Sequence, residues 1–131
     1  MNKKLKLVIL GAGESGVGTA ILGKKEGFEV FVSDYGKIKN NYKQVLLHHE
    51  INWEEEVHSE TLILSADVLM KSPGIPDNAP IVLKLKEKGV AVISEIEFAA
   101  KYTTATLIGI TGSNGKTTVA TMTYQILKDA G

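Results

Sequence analysis

Nearly continuous apolar runs alternate with helically spaced apolar residues along most of this chain. Strands are predicted at residues 5–10, 28–33, 66–70 and 90–93, where the runs are typical of strands buried on both faces of a parallel sheet. Helices are predicted after Gly13, over 59–64, after Asn78 and over 94–102. The alternation predicts an α/β fold with a Rossmann-like parallel sheet flanked by helices.

Glycines and short polar residues mark the ends of these helices. Gly27 and Gly89 follow the first and third helical patterns and are predicted to end them, since glycine tolerates the backbone that closes a helix. Ser59 and Asn78 precede the second and third patterns and are predicted to cap them.

Three segments give less regular patterns. Residues 42–50 fit either a short helix or an irregular approach to a strand, and the pattern leaves both open. The acidic stretch 54–56 is predicted to be solvated. In the last helical segment, the buried face is predicted to carry Ile96, Ala99 and Ala100.

A domain boundary is predicted at Thr103-Thr104, which divides the chain into domains over 1–103 and 104–131. The second part begins with a predicted strand over 105–111 and a helix over 116–129. A lone strand and helix cannot bury a core, so residues 104–131 are expected to be the start of an incomplete second α/β domain.

The composition is that of an ordinary globular protein. Hydrophobic residues make up 44% of the 131 positions, and 15 basic residues balance 15 acidic ones. No nucleic-acid partner is expected from this charge, and no membrane partner is expected because no apolar run approaches a span. The absence of cysteine fits a cytoplasmic location. Arginine is also absent, so phosphate would be bound by amides, hydroxyls and lysine.

The first glycine-rich loop follows the first predicted strand and opens a helix. Gly11, Gly13 and Gly16 fit the G-x-G-x-x-G fingerprint, and Asp34 ends the second predicted strand about 20 residues later. The pattern predicts a nucleotide or dinucleotide across the carboxyl edge of the sheet, with its pyrophosphate on the helix start and its ribose or base near Asp34. The alternative is that the glycines only permit close packing of helix and strand.

The second glycine-rich loop, T-G-S-N-G-K-T-T over residues 111–118, also lies between a predicted strand and a predicted helix. It departs from the Walker pattern because Ile110 stands where the first glycine is expected. Its amides can still cradle phosphate, Lys116 can reach the terminal phosphates, and Thr117 can ligate Mg²⁺. The segment therefore predicts the start of a P-loop ATPase domain, and a glycine turn with a solvated lysine is the alternative.

The remaining histidines and glutamates give only weak indications of a metal site or a catalytic site. His48, His49 and His58 lack the spacing of a zinc pair and are predicted to be surface residues. Glu95 and Glu97 are predicted to mark an exposed helix start rather than a catalytic pair.

The order of these signals resembles the Mur ligase family of peptidoglycan synthesis. The resemblance rests on G-A-G-E-S-G near the amino terminus, then Asp34, then S-P-G-I over 72–75, and then T-G-S-N-G-K-T-T. It covers the whole chain. It implies an amino-terminal domain that holds the UDP end of a muramoyl precursor, followed by a central ATP-binding domain.

The resemblance also implies roles for individual residues. Glu14 and Ser15 would hold the diphosphate, while Asp34 and Tyr35 would border the uracil and ribose. The implied substrate-binding set is Gly13, Glu14, Ser15, Gly16, Asp34, Tyr35, Ser72, Pro73 and Gly74. The implied ATP-binding set is Gly112, Ser113, Asn114, Gly115, Lys116, Thr117 and Thr118, with Lys116 and Thr117 catalytic and Thr117 on the metal.

The activity implied by the resemblance is ATP-dependent and Mg²⁺-dependent ligation of D-glutamate to UDP-N-acetylmuramoyl-L-alanine. The form of the first loop favours D-glutamate as the added amino acid. The chain by itself is expected to show no ligase turnover. Two other hypotheses stay open: a nicotinamide-dependent oxidoreductase domain, which the first loop and Asp34 would allow, and a non-catalytic nucleotide-binding module in which Lys116 is unused.

Overall fold

The computed structural model describes residues 3–102. Within that range the strands are β1 Lys6–Leu10, β2 Glu29–Asp34, β3 Asn52–Glu55, β4 Val68–Lys71 and β5 Ala91–Ile93. The helices are α1 Glu14–Lys25, α2 Asn40–His48, α3 Glu60–Leu64, α4 Pro80–Glu87 and α5 Glu95–Ala100. Strands and helices alternate throughout, as the hydrophobic pattern predicts.

All neighbouring strands of the sheet are parallel, in the order β3-β2-β1-β4-β5. The central strand is β1, where Ile9 lies between Val32 of β2 and Met70 of β4. The chain moves outward from β1 to β3 and then crosses back to β4, so the winding direction changes between β1 and β4. In sheets of this kind, ligands lie at the carboxyl ends of the strands beside that switch point.

The sheet is buried on both faces because its central residues are apolar in succession. One face packs under α1, α2 and α5, in a core that includes Ile9, Val32 and Phe98. The opposite face packs under α3 and α4, in a core that includes Leu10 and Leu85. The two layers hold the carboxyl ends of β1, β2 and β4 in fixed register, and this register positions the candidate site.

The four predicted strands are confirmed as β1, β2, β4 and β5, with ends that differ by up to two residues. The predicted helix ends at Gly27 and Gly89 are also confirmed, since both glycines follow a helix with positive φ, +89° and +78°. The undecided segment 42–50 lies largely in α2, which buries Leu46 against the sheet.

The acidic stretch 54–56 is less solvated than the sequence predicts. Glu56 is exposed as predicted, but Glu54 and Glu55 are half-buried in the edge strand β3 (Asn52–Glu55), which pairs in parallel with β2. Glu55 accepts a hydrogen bond from the Ile38 amide at 2.8 Å and pairs with Lys43. These contacts satisfy the carboxylate, so a strand with few apolar residues is stable at this edge.

Two predicted helix starts differ from the structure. Asn78 does not cap α4, because the helix begins at Pro80 with Ala79 at the capping position, and proline is well suited to a first helical residue. Ser59 does precede α3, but its hydroxyl donates to Glu54 instead of capping the helix.

The predicted apolar face of the last helix is wrong. In α5 the buried side chain is Phe98, whose ring contacts Phe28, whereas Ile96 is 68% exposed. A helix this short gives too few repeats for spacing to identify its buried face. Ser94 caps α5 by accepting a hydrogen bond from the Glu97 amide.

The predicted boundary at Thr103-Thr104 and the whole segment 104–131 lie outside the described residues. Among residues 3–102, no helix combines the length and apolar character needed to cross a membrane.

Candidate functional site

Three loops meet at the carboxyl edge of the sheet, after β1, β2 and β4. The first loop is joined to the end of β2, where the second loop begins, by a hydrogen bond from the Gly11 amide to the Ser33 carbonyl, at 2.9 Å. It is joined to the third by a hydrogen bond from the Ser72 amide to the Leu10 carbonyl, at 3.0 Å. The three loops are therefore one connected surface beside the switch point.

Two glycines of the first loop are required by close packing. A Cβ on Gly16 would lie 1.9 Å from the Gly11 carbonyl oxygen, so the start of α1 rests directly on the preceding loop. Gly11 has φ of +104°, and a Cβ there would lie 2.8 Å from Cβ of Ser72. Because Gly16 is buried, its lack of a side chain serves to let α1 lie close to the preceding loop.

The amino end of α1 is open to solvent. Gly13, Glu14 and Ser15 are exposed, and a Cβ on Gly13 would meet nothing within 4 Å. The first main-chain hydrogen bond of the helix runs from the Val17 amide to the Gly13 carbonyl, so the preceding amides point out of the helix without an intrahelical partner. Their dipoles favour an anion at this position.

The carboxylate of Asp34 connects the first and second loops. One oxygen accepts a hydrogen bond from the Ala12 amide at 2.7 Å, and the other accepts one from the Gly36 amide at 2.8 Å. The adjacent Tyr35 is 75% exposed. The structure therefore gives Asp34 an architectural role that spacing alone did not reveal, while each oxygen retains a lone pair for a ligand.

The third loop is held by a lysine at the end of β4. Lys71 donates to the Ile75 carbonyl at 2.6 Å and pairs with Asp77 at 3.3 Å. The Ile75 amide donates to the Ser72 carbonyl, which closes a turn over Pro73 and Gly74. The exposed Gly74 has open space at its Cα, so this turn can approach a ligand closely.

A polar network supports the ends of β2 and β3 beneath this edge. The fully buried Ser33 lies 2.6 Å from Glu54 through its hydroxyl and 2.6 Å from Nδ1 of His58. Ser59 donates to Glu54 through both its amide and its hydroxyl. Burial alone would raise the pKa of Glu54, but the hydrogen bonds from Ser33 and Ser59, together with His58, hold this pKa below its ordinary value.

This network was missed by the sequence analysis, which predicted His58 only as a surface residue. His58 is half-buried and contacts both Ser33 and the ring of Tyr35, at a centroid distance of 5.5 Å. The one signal that could have revealed it is Ser33, a polar residue that directly follows the apolar run of β2.

All nine residues of the implied substrate-binding set lie in the three loops, at the end of β2 or at the start of α1. The fold thus brings together three segments that are distant from one another in the chain. The implied ATP-binding set, Gly112 to Thr118, lies outside the described residues. Between residues 3 and 102, no group of His, Asp or Glu side chains could hold a metal ion.

The parallel order and the glycine-lined switch point define a doubly wound α/β protein. Comparison with known proteins then gives the family: the MurD N-terminal domain model matches residues 4–81, and the chain belongs to that family.

Close relatives are named UDP-N-acetylmuramoylalanine–D-glutamate ligase. One from Christiangramia forsetii is 63% identical over 126 residues, and one from Bacteroides thetaiotaomicron is 60% identical over 125 residues. These alignments cover 96% and 95% of this chain. The chain spans 28% of the length of either relative.

Solved structures of related ligases share the fold. A pseudomurein peptide ligase type C from Methanothermus fervidus aligns with a TM-score of 0.65 and 32% identity, over 98% of this chain and 27% of its own. A UDP-N-acetylmuramate:L-alanyl-gamma-D-glutamyl-meso-diaminopimelate ligase from Neisseria meningitides aligns with a TM-score of 0.70 and 25% identity, over 98% of this chain and 41% of its own.

Proposed function

We propose that this chain is the UDP-substrate-binding part of a cytoplasmic ATP-dependent ligase that joins D-glutamate to UDP-N-acetylmuramoyl-L-alanine in peptidoglycan synthesis. The observation that carries the proposal is the match to the MurD N-terminal domain, together with the high identity to relatives named for this reaction. Residues 1–103 are the substrate-binding domain, and residues 104–131 begin an ATP-binding domain.

The geometry at the carboxyl edge supports a diphosphate at the start of α1. The amides of Glu14 and Ser15 lie in the first helical turn, where unpaired N–H groups and the helix dipole stabilise negative charge. Because Gly16 seats the helix on its loop, these amides are fixed before a ligand arrives. The nucleoside then extends along the edge toward Asp34 and Tyr35, with the turn over Ser72, Pro73 and Gly74 on the other side.

The chemistry proposed for the complete enzyme begins at the L-alanyl carboxylate. A carboxylate oxygen attacks the γ-phosphorus of ATP, and ADP leaves as the acyl phosphate forms. The D-glutamate amine then attacks the acyl carbon, phosphate leaves, and the nitrogen loses a proton. Lys116 would neutralise charge on the transferred phosphoryl group. Thr117 would hold Mg²⁺, in the same loop as Gly112 to Gly115 and Thr118, and the metal would supply electrostatic stabilisation of the phosphates.

A nicotinamide-dependent oxidoreductase is the main alternative for the first loop. It is disfavoured by the family membership, and a second phosphate loop has no place in it. Titration calorimetry with UDP-N-acetylmuramoyl-L-alanine, UDP and NAD separates the two. We expect tighter binding of both uridine ligands than of NAD. Equal or tighter binding of NAD would overturn the proposal.

The role of the second loop is tested in the full-length protein. Lys116→Ala is expected to weaken ATP binding and abolish D-glutamate-dependent ADP release, whereas unchanged ATP affinity would favour a nucleotide-sensing module. The 131-residue chain alone is expected to release no ADP in the same assay. D-glutamate-dependent turnover by this chain would contradict that expectation.

A further inference from the structure

A groove with a volume of about 260 Å³ runs between α1 and α5, in the layer of helices that covers one face of the sheet. Ser15 lies at one end of it, and most of its wall is apolar or small: Gly18, Leu22, Ile96 and Ala99. Gly18 leaves open space at its Cα, and Ile96 is 68% exposed. Covering this wall would remove apolar surface from water, which is favourable.

The carboxylate of Glu95 also lines the groove. Its Oε2 is buried, and no residue within 3–102 donates a hydrogen bond to it. A buried acceptor without a donor is unfavourable, and more so when it belongs to a carboxylate. The groove therefore combines apolar surface with one acceptor that requires a donor.

The chain leaves the described residues from the helix that forms one wall of this groove. Because α1 and α5 each follow a strand of a parallel sheet, both begin at its carboxyl edge and run in the same direction. Tyr102, just beyond α5, is therefore at the opposite end of the groove from Ser15, and residues 103–131 continue from there. A segment tethered at this point has a high effective concentration at the groove, whereas a second copy must be captured from solution.

We propose that the groove between α1 and α5 is the docking surface for residues 103–131, with apolar side chains of this segment in the groove and one of its threonine hydroxyls donating to Oε2 of Glu95. The segment contains both kinds of group. Threonines begin directly after Tyr102, and apolar residues follow them: Leu107, Ile108 and Ile110.

A path back along the groove returns the chain to the carboxyl edge of the sheet. Seven helical positions, as from Ser15 to Leu22, cover about 10 Å, and an extended chain covers this distance in about three or four residues. The stretch from Tyr102 to Gly112 can span about 30 Å, so the second glycine-rich loop can reach the start of α1. This consequence rests on the proposed function, because it brings the ATP loop beside the diphosphate site.

Methyl NMR of the unmodified 131-residue chain tests the contact directly. We expect nuclear Overhauser effects between the methyl groups of Ile96 and methyl groups within residues 103–131. Their absence would overturn the proposal. A mixture of labelled and unlabelled chains separates the two sources of such effects, because effects that cross between molecules would identify a second copy as the occupant and would also overturn it.

Hydrogen exchange measured by mass spectrometry gives a second readout. Ile96→Lys places a charge in the apolar groove and is expected to make exchange within residues 103–131 about tenfold faster. Leu83→Lys is the matched control, because Leu83 is also exposed, on α4 at the opposite face of the sheet. It should leave this exchange unchanged. No change in either variant, or equal changes in both, would overturn the proposal.

The hydrogen bond to Glu95 is tested by Glu95→Ala, with Glu97→Ala in the same helical turn as its control, since Glu97 is exposed outside the groove. Loss of the acceptor should make exchange within residues 103–131 about threefold faster in Glu95→Ala alone. If Oε2 has no donor in this segment, its removal would leave this exchange unchanged or slower. That result would overturn the role given to Glu95.

The outcomes separate this inference from the proposed function. If the unmodified protein prefers NAD to uridine ligands, the proposed function fails, and neither the methyl contacts nor the exchange rates depend on that result. If it prefers uridine ligands but Ile96 shows no contact with residues 103–131, the docking surface alone is wrong.

Discussion

Replacing Gly16 with alanine tests how the fold positions the first loop. The new Cβ would lie 1.9 Å from the Gly11 carbonyl oxygen, about 1.5 Å closer than an ordinary contact of 3.4 Å. The position of a Cβ is fixed by the backbone, and the carbonyl oxygen is itself a backbone atom, so no side-chain rotation can relieve the clash. The amino end of α1 must move away from β1, which separates Val17 and Ala20 from the core.

The expected cost of Gly16→Ala is about 3 kcal/mol, at the upper end of the range for overpacking because neither partner is flexible. For a domain of this size, each kcal/mol lowers the melting temperature by about 4–8 °C. Thermal unfolding followed by circular dichroism should therefore show a decrease of about 12–24 °C. The same displacement moves the amides of Glu14 and Ser15, so the affinity for UDP should fall as well.

Gly18→Ala, two residues further along α1, is the matched control. A Cβ on Gly18 would meet nothing within 4 Å, and alanine is favoured over glycine inside a helix. We expect a gain of about 0.5–1 kcal/mol from this variant. If the two variants changed the melting temperature equally, in sign and size, close packing would not explain why Gly16 is glycine.

Two further perturbations address the polar contacts of the site. Asp34→Ala removes the acceptor of the hydrogen bonds from the Ala12 and Gly36 amides. Loss of charge-assisted hydrogen bonds of this kind should lower the free energy of unfolding, measured in urea, by about 2–3 kcal/mol. A decrease below about 0.5 kcal/mol would refute the connecting role of Asp34. The pKa of Glu54 lies below its ordinary value in the folded state, so its stabilising contribution is present above about pH 4.5 and is lost as the pH falls through the lowered pKa. The free energy of unfolding should therefore differ most between the unmodified protein and Glu54→Gln at neutral pH, and a difference that grew on acidification would contradict this sign.

The strands and the first glycine loop were predictable because their signals are local. A buried parallel strand is an apolar run, and a phosphate loop needs glycines at fixed offsets from a strand and a helix, as at Gly11 and Gly16. The edge strand β3 was not predictable in this way. Its stability depends on partners distant in sequence, such as the contact of Glu54 with Ser33 and that of Glu55 with Ile38.

The sequence by itself determined the alternation of strands and helices, the glycine positions and the resemblance to a ligase family, since each depends on neighbouring residues. Only the tertiary structure decided how the polar side chains are used. Asp34 joins two loops, and His58 contacts the buried hydroxyl of Ser33 through Nδ1. Hydrogen bonds depend on distances and directions between segments far apart in the chain, and the packing of helices on the sheet sets those distances.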